Sequence, residues 1–212
     1  RKMNFRILTL SAIAGLMMTA CGEADTAKET APVAETPKVE VAEYSADVTA
    51  TTVNWKGEVA GVYGHNGYVH LQSGKVMLEG ETIKGGEFVV DMTHLIPTDS
   101  ASYKDTDGGR ITDLQGHLAS EDFFATATHP TSTFVITSVE NGMVKGNLTV
   151  RGKTNEETLS VESMSIENGQ LNMSGTLVFD RQKYDVAWVH FMKDMILSDD
   201  ISITFNLVAN KS

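Results

Sequence analysis

The only cysteine of the chain, Cys21, stands at the end of an apolar run, where its thiol could receive a lipid. The run covers residues 7–20, follows a basic start at residues 1–6 and ends in the small pair Thr19-Ala20. It is shorter than the roughly 20 apolar residues of a spanning helix, but these three parts are typical of a secretory signal. The cysteine directly after them predicts a bacterial lipoprotein signal at 1–20, with Cys21 acylated and first in the mature chain. An ordinary secreted protein with an unused thiol is the alternative.

An acylated Cys21 would place the protein in the bacterial cell envelope, held by the two or three acyl chains that make a stable anchor. The sequence leaves open whether the anchor is in the outer membrane, and whether the protein faces the periplasm or the cell surface. Residues 22–43 are rich in Ala, Glu, Thr, Pro and Val and contain no aromatic residue. Such a segment buries too little apolar area to offset its ordering entropy. Residues 21–43 are therefore predicted to be a lipidated, disordered tether, and residues 44–212 a folded domain.

The side chains that could support catalysis or metal binding do not form a recognisable pattern. The six histidines show no ligand spacing such as His-Glu-x-x-His, and no cysteine remains to assist them. There is no Gly-x-Ser-x-Gly motif for a nucleophile. Asp91 and the pair Asp180-Arg181 are interpreted as buried structural charges at strand ends. The sequence therefore predicts no catalytic residues and no metal site.

The composition limits the classes of partner. The formal net charge is −11, and no Lys/Arg cluster follows the signal, which argues against nucleic acid and against docking on anionic headgroups. A neutral, apolar or cationic ligand fits this charge better. Hydrophobic residues make up 41% of the chain, so the domain can build a core without a disulfide, which one cysteine cannot form internally.

The elements that position these residues are predicted to be strands. Apolar and polar residues alternate over 171–179 and 201–209, which is the period of a sheet with one apolar face. Val144, Leu148 and Val150 repeat the pattern, with the small Gly146 between them. The further candidate strands are 49–61, 67–72, 74–80, 82–92, 132–140 and 154–163, separated by turn signals at Ser73-Gly74, Gly80, Asn141-Gly142, Arg151-Gly152 and Asn168-Gly169. About eight antiparallel strands of this length form either a sandwich or a barrel, and the pattern alone leaves both open.

One segment has the period of a helix. Ile111, Leu114 and Leu118 have the spacing of one helical face, which predicts a short helix over about 109–120. The aromatic pair Phe123-Phe124 follows it. In a barrel, this pair would either plug one end or gate an internal cavity, and the two roles are compatible.

Several sequence blocks resemble those of the YceI-like lipid-binding family. They are HLASEDFF at 117–124, HPTSTF at 129–134, GNLTVRGKT at 146–154 and FDRQKYDV at 179–186, with upstream blocks at 55–57, 64–67 and 85–92. The resemblance covers residues 44–209. It implies an all-β fold, an extended antiparallel lipocalin-like β-barrel of about eight strands with the short helix at one end. It also implies an apolar pocket for a polyisoprenoid, such as a polyprenyl lipid or the tail of a quinone, and no other cofactor.

The resemblance and the alternation together select the residues expected to contact such a ligand. They are Trp55, His65, Phe88, Val90, His117, Phe123, Phe124, Phe134, Leu148, Val150, Leu177, Phe179 and Phe205. The alternation also turns Val69, Leu71, Met92, Ile136, Met173 and Leu207 inward. The two histidines would either hydrogen-bond the backbone near the helix or touch a ligand headgroup. A packed barrel serving as a structural or interaction lipoprotein, and a lipid cyclase or isomerase, are the alternatives, and a homodimer covering the mouth stays open.

Overall fold

The structure, a computed structural model, describes residues 40–59, 63–106, 108–188 and 196–212. The predicted signal, the acylated Cys21 and the predicted tether up to residue 39 lie outside the described residues, as does His190. Where the chain is described, no helix is both long and apolar enough to cross a membrane.

The described chain is built mainly of strands. It contains nine strands and one α-helix, which are β1 Val41–Ala46, β2 Thr52–Val59, β3 Tyr63–Glu79, β4 Thr82–Pro97, α1 Ile111–Ala119, β5 Thr131–Glu140, β6 Met143–Val150, β7 Lys153–Glu167, β8 Gln170–Asp180 and β9 Leu197–Lys211. Two short 3-10 helices lie at Ser100–Ser102 and Arg181–Tyr184. The all-β prediction is confirmed, and the helix expected at about 109–120 is α1.

Strands β2 to β9 form a closed antiparallel barrel of eight strands. Each strand pairs with the next in sequence, and β2 pairs with β9 to close the ring, with Trp55 opposite Ile203. β1 continues the line of β2 between the same two neighbours, because it pairs with the second half of β3 and with the last residues of β9. Closure removes the free sheet edges that would otherwise invite aggregation. The structure thus confirms the barrel and excludes the sandwich.

Three of the predicted turns are two-residue hairpins. Both residues of Asn141-Gly142, Arg151-Gly152 and Asn168-Gly169 have positive φ. This is the backbone of type I′ turns, whose twist matches that of the flanking strands. The tight turns set which residues of neighbouring strands lie opposite each other, and thereby which side chains face the interior.

The prediction of two strands at 67–72 and 74–80 was wrong, because β3 runs without a break from Tyr63 to Glu79. Gly74 lies opposite Phe88 of β4, and a β carbon at Gly74 would come within 2.6 Å of the Phe88 ring. The glycine therefore makes room for an aromatic ring and does not form a turn. The pairing of β3 with β4 shifts by one residue between Leu71 and Ser73, and the strand continues through this irregularity.

Two boundaries also differ from the prediction. β1 begins at Val41, so residues 41–43 belong to the sheet. The strand expected at 49–61 begins at Thr52, after a turn in which the Asp47 carboxylate accepts hydrogen bonds from the backbone N–H groups of Thr49, at 3.0 Å, and Ala50, at 3.2 Å. Residues 60 and 61 lie outside the described residues.

The two ends of the barrel are closed by different elements. One end carries the tight turns at 80–81, 141–142 and 168–169 together with β1, and is called the hairpin end. The other carries α1, the turn at 151–152 and the segment 181–188, and is called the helix end. The helix lies on β4, with Leu118 buried and Leu114 packed against the core.

Candidate ligand-binding cavity

The barrel encloses a cavity of about 200 Å³ whose wall is almost entirely apolar. Eleven of the thirteen residues predicted to contact a ligand lie in this wall, namely Trp55, Phe88, Val90, Phe123, Phe124, Phe134, Leu148, Val150, Leu177, Phe179 and Phe205. The six further residues predicted to point inward line it as well. The alternation of a strand explains this result, since every second side chain faces the same side of the sheet. Contact of these residues with a ligand stays a prediction.

Small residues opposite large rings shape the tube. Trp55 stands directly across from Gly67, and Phe205 directly across from Gly175. A β carbon at Gly67 would lie 2.7 Å from the Trp55 ring, and one at Gly175 would lie 2.8 Å from the Phe205 ring. Phe134 covers Gly146 in the same way, at 2.4 Å. These glycines let the rings lie against the wall, which keeps the middle of the barrel open.

Several inward side chains are only half-buried although they face the interior. Trp55, Phe88, Val90 and Phe205 are in this class. Interior side chains normally pack to crystal-like density and lose almost all their accessible surface. These four pack against the core on one side and keep part of their surface because they border open space on the other. The barrel is therefore hollow over this stretch.

The hairpin end of the interior is packed solid. Five buried residues fill it without lining the cavity, and are called the base cluster: Tyr44, Val76, Leu78, Leu171 and Ala209. Of these, Val76, Leu171 and Ala209 have no accessible surface at all. Leu171 and Ala209 are paired across β8 and β9, and the next inward pair along the same strands, Met173 and Leu207, lines the cavity. Along β8 and β9 the cavity thus ends at the layer formed by Met173 and Leu207, and on β4 its wall reaches Ile83, opposite Leu78 of the base cluster.

At the helix end, the helix and its aromatic pair cover the cavity. Leu118, Phe123 and Phe124 are buried and line the wall. Arg151 joins this cover to the other side of the barrel mouth, because its guanidinium donates to the backbone carbonyl of Glu121, at 2.7 Å, and to that of Asp185. Phe123 and Phe124 therefore act as a plug at this end.

Arg181 is the one ionisable group among the described residues of the wall. Its side chain is 4% exposed. The guanidinium donates to four backbone carbonyls, those of Val186, Trp188, Leu197 and Ser198, and to the Asp199 carboxylate at 3.0 Å. Burial lowers the pKa of this guanidinium, and the carboxylates of Asp199 and Asp180 act in the opposite direction. All five N–H donors are used within the protein, so Arg181 gathers both ends of the connection between β8 and β9.

The pairing predicted for the strand-end charges was wrong in its partners. Arg181 is buried as expected, but its hydrogen-bonded carboxylate belongs to Asp199, whereas the Asp180 carboxylate accepts from the backbone N–H of Gln182. Asp91 accepts from Thr93, and its other oxygen lies 2.9 Å from Nδ1 of His94. Sequence reasoning missed Asp199 because it reaches Arg181 from a separate strand, whereas the partners of Asp180 and Asp91 lie within three residues of them in sequence.

His117 lies behind the wall and not in it. Its ring contacts Trp188 at 4.5 Å and Phe123 at 5.4 Å between centroids, both edge to face. Its Nε2 atom is buried without a hydrogen-bond partner. Burial lowers the pKa of the imidazole, and nearby Asp122 raises it by less. His117 thus packs as a neutral aromatic ring between the helix and the segment that ends at Trp188.

His65 also lies outside the cavity wall, in a polar cluster at the start of β3. Its Nδ1 lies 2.8 Å from Oδ2 of Asp99, and the Tyr103 hydroxyl donates to Oδ1 of the same carboxylate at 2.8 Å. Burial raises the pKa of the Asp99 carboxyl, but the hydrogen bonds from His65 and Tyr103 outweigh it, so the net shift is downward. The cluster pins the segment after β4 onto β3. No group of side chains suited to a metal ion occurs in the part of the chain that the structure describes.

Sequence reasoning left out some wall residues whose signal was present. Ile201 and Ile203 belong to the alternating run of β9, and Val53 follows the alternation of β2. Ile83 is out of phase with the other inward residues of β4, because the pairing of β3 with β4 shifts between Met77 and Leu78. Leu197 and Ser198 are different, because they extend β9 beyond the run and reach the wall through the contacts of Arg181. No local pattern marks such residues.

Comparison with known proteins gives both a family and a fold. The sequence model of the family described as the YceI-like domain matches residues 44–209. A UPF0312 protein of Staphylococcus epidermidis is 35% identical over 82 residues, which are 35% of this chain and 47% of the relative. A UPF0312 protein of Staphylococcus aureus is 38% identical over 76 residues, 33% of this chain and 44% of the relative. The alignments thus span about half the length of these relatives.

Two solved structures share the fold. BcnA of Burkholderia cenocepacia is 19% identical, with a TM-score of 0.58 over 78% of this chain and 99% of that chain. A polyisoprenoid binding domain from Saccharophagus degradans, implicated in plant cell wall breakdown, is 13% identical, with a TM-score of 0.53 over 80% of this chain and 98% of that chain. At these identities the likeness is one of fold.

Proposed function

The chain belongs to the YceI-like domain family, and from that premise we propose that it binds a polyisoprenoid or similar long apolar lipid inside its barrel. The observation that carries the proposal is the cavity itself, a tube between the helix end and the base cluster with an apolar wall. The polyisoprenoid binding domain of Saccharophagus degradans, which has the same fold, supports this class of ligand.

The wall matches the chemistry of such a ligand. An isoprenoid chain has almost no hydrogen-bonding groups, so its affinity comes from removing apolar surface from water, at about 25 cal/mol per Å². Ligand pockets usually have volumes of about 300 to 1,000 Å³, and the cavity of about 200 Å³ is smaller. We therefore expect the tube to widen when a long chain enters. Met92 and Met173 suit such a wall, because unbranched thioethers readily change rotamer.

The same cavity argues against the two alternatives. A barrel that serves only as a structural or interaction module needs no hollow interior. In such a barrel, neighbouring side chains would cover rings such as Phe88 and Phe205, which are half-buried here. A cyclase or isomerase needs an acid or base at the bound chain. The described wall contains no His, Asp, Glu or Lys, and Arg181 spends its donors on backbone carbonyls and Asp199. We propose a binding protein and not an enzyme.

The ligand experiment starts with protein purified from the envelope of its own host. We expect extraction with organic solvent, followed by mass spectrometry, to release a polyprenyl compound in stoichiometric amount. Added polyprenyl alcohol should also bind to protein that has been stripped of lipid. Protein that is empty when purified and refuses the added alcohol would overturn the proposal.

We further propose that acylated Cys21 anchors the barrel to a membrane of the bacterial envelope and that the protein stores or carries lipid beside that membrane. A flexible tether of about 20 residues has a typical reach of roughly 25 Å. Such a reach favours loading next to one leaflet over free shuttling between membranes. Replacement of Cys21 by Ser should move the protein from the membrane fraction to the soluble fraction and abolish labelling with a radioactive fatty acid. The variant Ser11→Ala, within the apolar run, should leave both unchanged, and a Cys21→Ser protein that stays in membranes would refute the anchor.

A further inference from the structure

The cavity has one closed apolar end and one polar end, and this asymmetry bears on how a ligand lies in it. At the hairpin end the wall stops along β8 and β9 at Met173 and Leu207, with the base cluster packed behind them. Thr51 is the polar side chain nearest this end, and its hydroxyl both donates to and accepts from the backbone of Val208. Apart from this hydroxyl, which is already paired with the backbone, the closed end presents hydrocarbon and thioether to a ligand.

Most polar side chains of the described wall lie at the helix end, and the buried Nε1 atom of Trp55, which has no hydrogen-bond partner, lies in the middle of β2. Ser132 is buried near the start of β5, where its hydroxyl donates to the backbone carbonyl of Thr149 at 2.7 Å, and Ser198 lies next to the buried guanidinium of Arg181. A ligand oxygen placed at the hairpin end would lose its hydrogen bonds to water without replacement, which costs roughly 1–3 kcal/mol by mutational measures in proteins. At the helix end the same oxygen lies near the hydroxyls of Ser132 and Ser198, although the N–H donors of Arg181 are already used within the protein. A bound ligand therefore has the lower free energy when its oxygen-bearing group lies at the helix end of the barrel.

The tube also has a defined length. Along β8 the wall runs from Met173 to Phe179. Six residues of strand cover about 20 Å, and a tilt of about 40° reduces this to about 15 Å along the barrel axis. Beyond Met173 the buried Leu171 and Ala209 leave no accessible space. A chain that enters from the helix end must stop, fold back or push on this layer.

We propose that the barrel binds its ligand tail first and that the layer of Met173 and Leu207 sets the longest chain that it can bury. This inference rests on the proposed function, since it assumes that a lipid occupies the cavity. It adds the orientation of the ligand, with an oxygen-bearing head at the helix end, and it names the residues that select chain length.

The test uses a homologous series of straight-chain primary alcohols as competitors of a fluorescent apolar probe on the lipid-free protein. Each added methylene that is buried contributes about 0.8 kcal/mol, or about fourfold in Kd. We expect the affinity of the wild-type protein to rise by this factor per methylene and to stop rising at one length. Met173→Ala removes three heavy atoms from the closed end, so the limit should move to chains longer by about three methylenes, and the longest alcohols should bind up to about 60-fold more tightly.

The matched control is the same substitution at the other end of the same wall. Met92 lines the cavity near the helix end, where its backbone N–H donates to the carbonyl of Pro130 at 2.9 Å. Met92→Ala should leave the length limit where it is in the wild-type protein. If Met173→Ala fails to fold, Leu207→Phe tests the same layer by filling it, and it should shorten the limit.

The outcomes separate this inference from the function on which it rests. If no alcohol competes with the probe, the proposed lipid binding fails. If the alcohols bind but neither Met173→Ala nor Leu207→Phe moves the limit, the layer does not measure chain length, although lipid binding stands. If Met92→Ala moves the limit and Met173→Ala does not, the ligand lies in the opposite direction, and the proposed orientation is overturned.

Discussion

Replacement of Leu148 by Trp separates a hollow barrel from a packed one. Leu148 lies on β6, faces Phe134 across the strand pair and lines the cavity. A larger ring at this position would enter open space in a hollow barrel and overlap with neighbours in a packed one. The two cases predict opposite results for two measurements, namely the affinity for an apolar ligand and the free energy of unfolding.

The magnitude follows from the position of Leu148 in the tube. From Leu148 to Val144, the last wall residue of β6 toward the hairpin end, is four residues. This distance is about 13 Å of strand and about 10 Å along the axis. An indole across the tube would exclude the ligand from that stretch. Exclusion of only three methylenes, at about 0.8 kcal/mol each, lowers the affinity about 60-fold. The unfolding free energy should change little, whereas overpacking a filled core costs about 1–3 kcal/mol.

The assay is competition of a polyprenyl alcohol with a fluorescent apolar probe, together with urea unfolding of the same samples. Asn147→Trp serves as the control, since Asn147 is exposed on the outer face of the same strand. It should leave both the affinity and the stability unchanged. A Leu148→Trp protein that binds as tightly as wild type, or that loses about 1–3 kcal/mol of stability with no change in affinity, would refute the hollow-tube reasoning.

Three further substitutions test the supports of the cavity. Arg181→Met leaves four backbone carbonyls and a carboxylate without their donor, so the unfolding free energy in urea should fall by about 3–5 kcal/mol. A loss below about 1 kcal/mol would show that these hydrogen bonds of Arg181 do not stabilise the barrel. Burial lowers the pKa of His117 in the folded state, so this imidazole is protonated at a higher pH in the unfolded chain than in the folded one. The unfolding free energy should therefore fall as the pH drops from about 7.5 to about 5.5, through the unfolded pKa of about 6.5. His117→Phe should flatten that part of the stability profile, and an unchanged slope would assign it to other groups. Gly116 is an exposed residue of α1 with open space where a β carbon would stand, so Gly116→Ala should raise the unfolding free energy by about 0.5–1 kcal/mol in the same urea assay; a decrease would show that the helix needs the glycine.

The wall residues could be predicted because strand periodicity is a local property. Met173, Leu177 and Phe179 alternate with polar neighbours, and a one-residue shift would expose all of them. The turns at 141–142 and 168–169 carry the Asn-Gly signal that holds this register. Most of the strands and the inward set could therefore be read without knowledge of the tertiary structure.

The errors fall where the role of a residue depends on a distant strand. Gly74 has the local signature of a turn, but the ring of Phe88 opposite it explains the glycine. His65 and His117 lie in blocks typical of the family, yet one contacts Asp99 and Tyr103 and the other packs against Trp188. Neither lines the cavity in this structure, and a headgroup contact for either stays a prediction.

The sequence by itself determined the all-β class, the inward face of most strands and, through its motifs, the family. It also carries the prediction of an acylated Cys21, because that signal is read in the unfolded chain. Only the tertiary structure decided that the barrel is hollow between the helix end and the Met173–Leu207 layer, and that Arg181 is clamped by backbone carbonyls and Asp199. The physical reason is that periodicity specifies which way a side chain points, whereas open space depends on how all eight strands of the barrel meet across its axis.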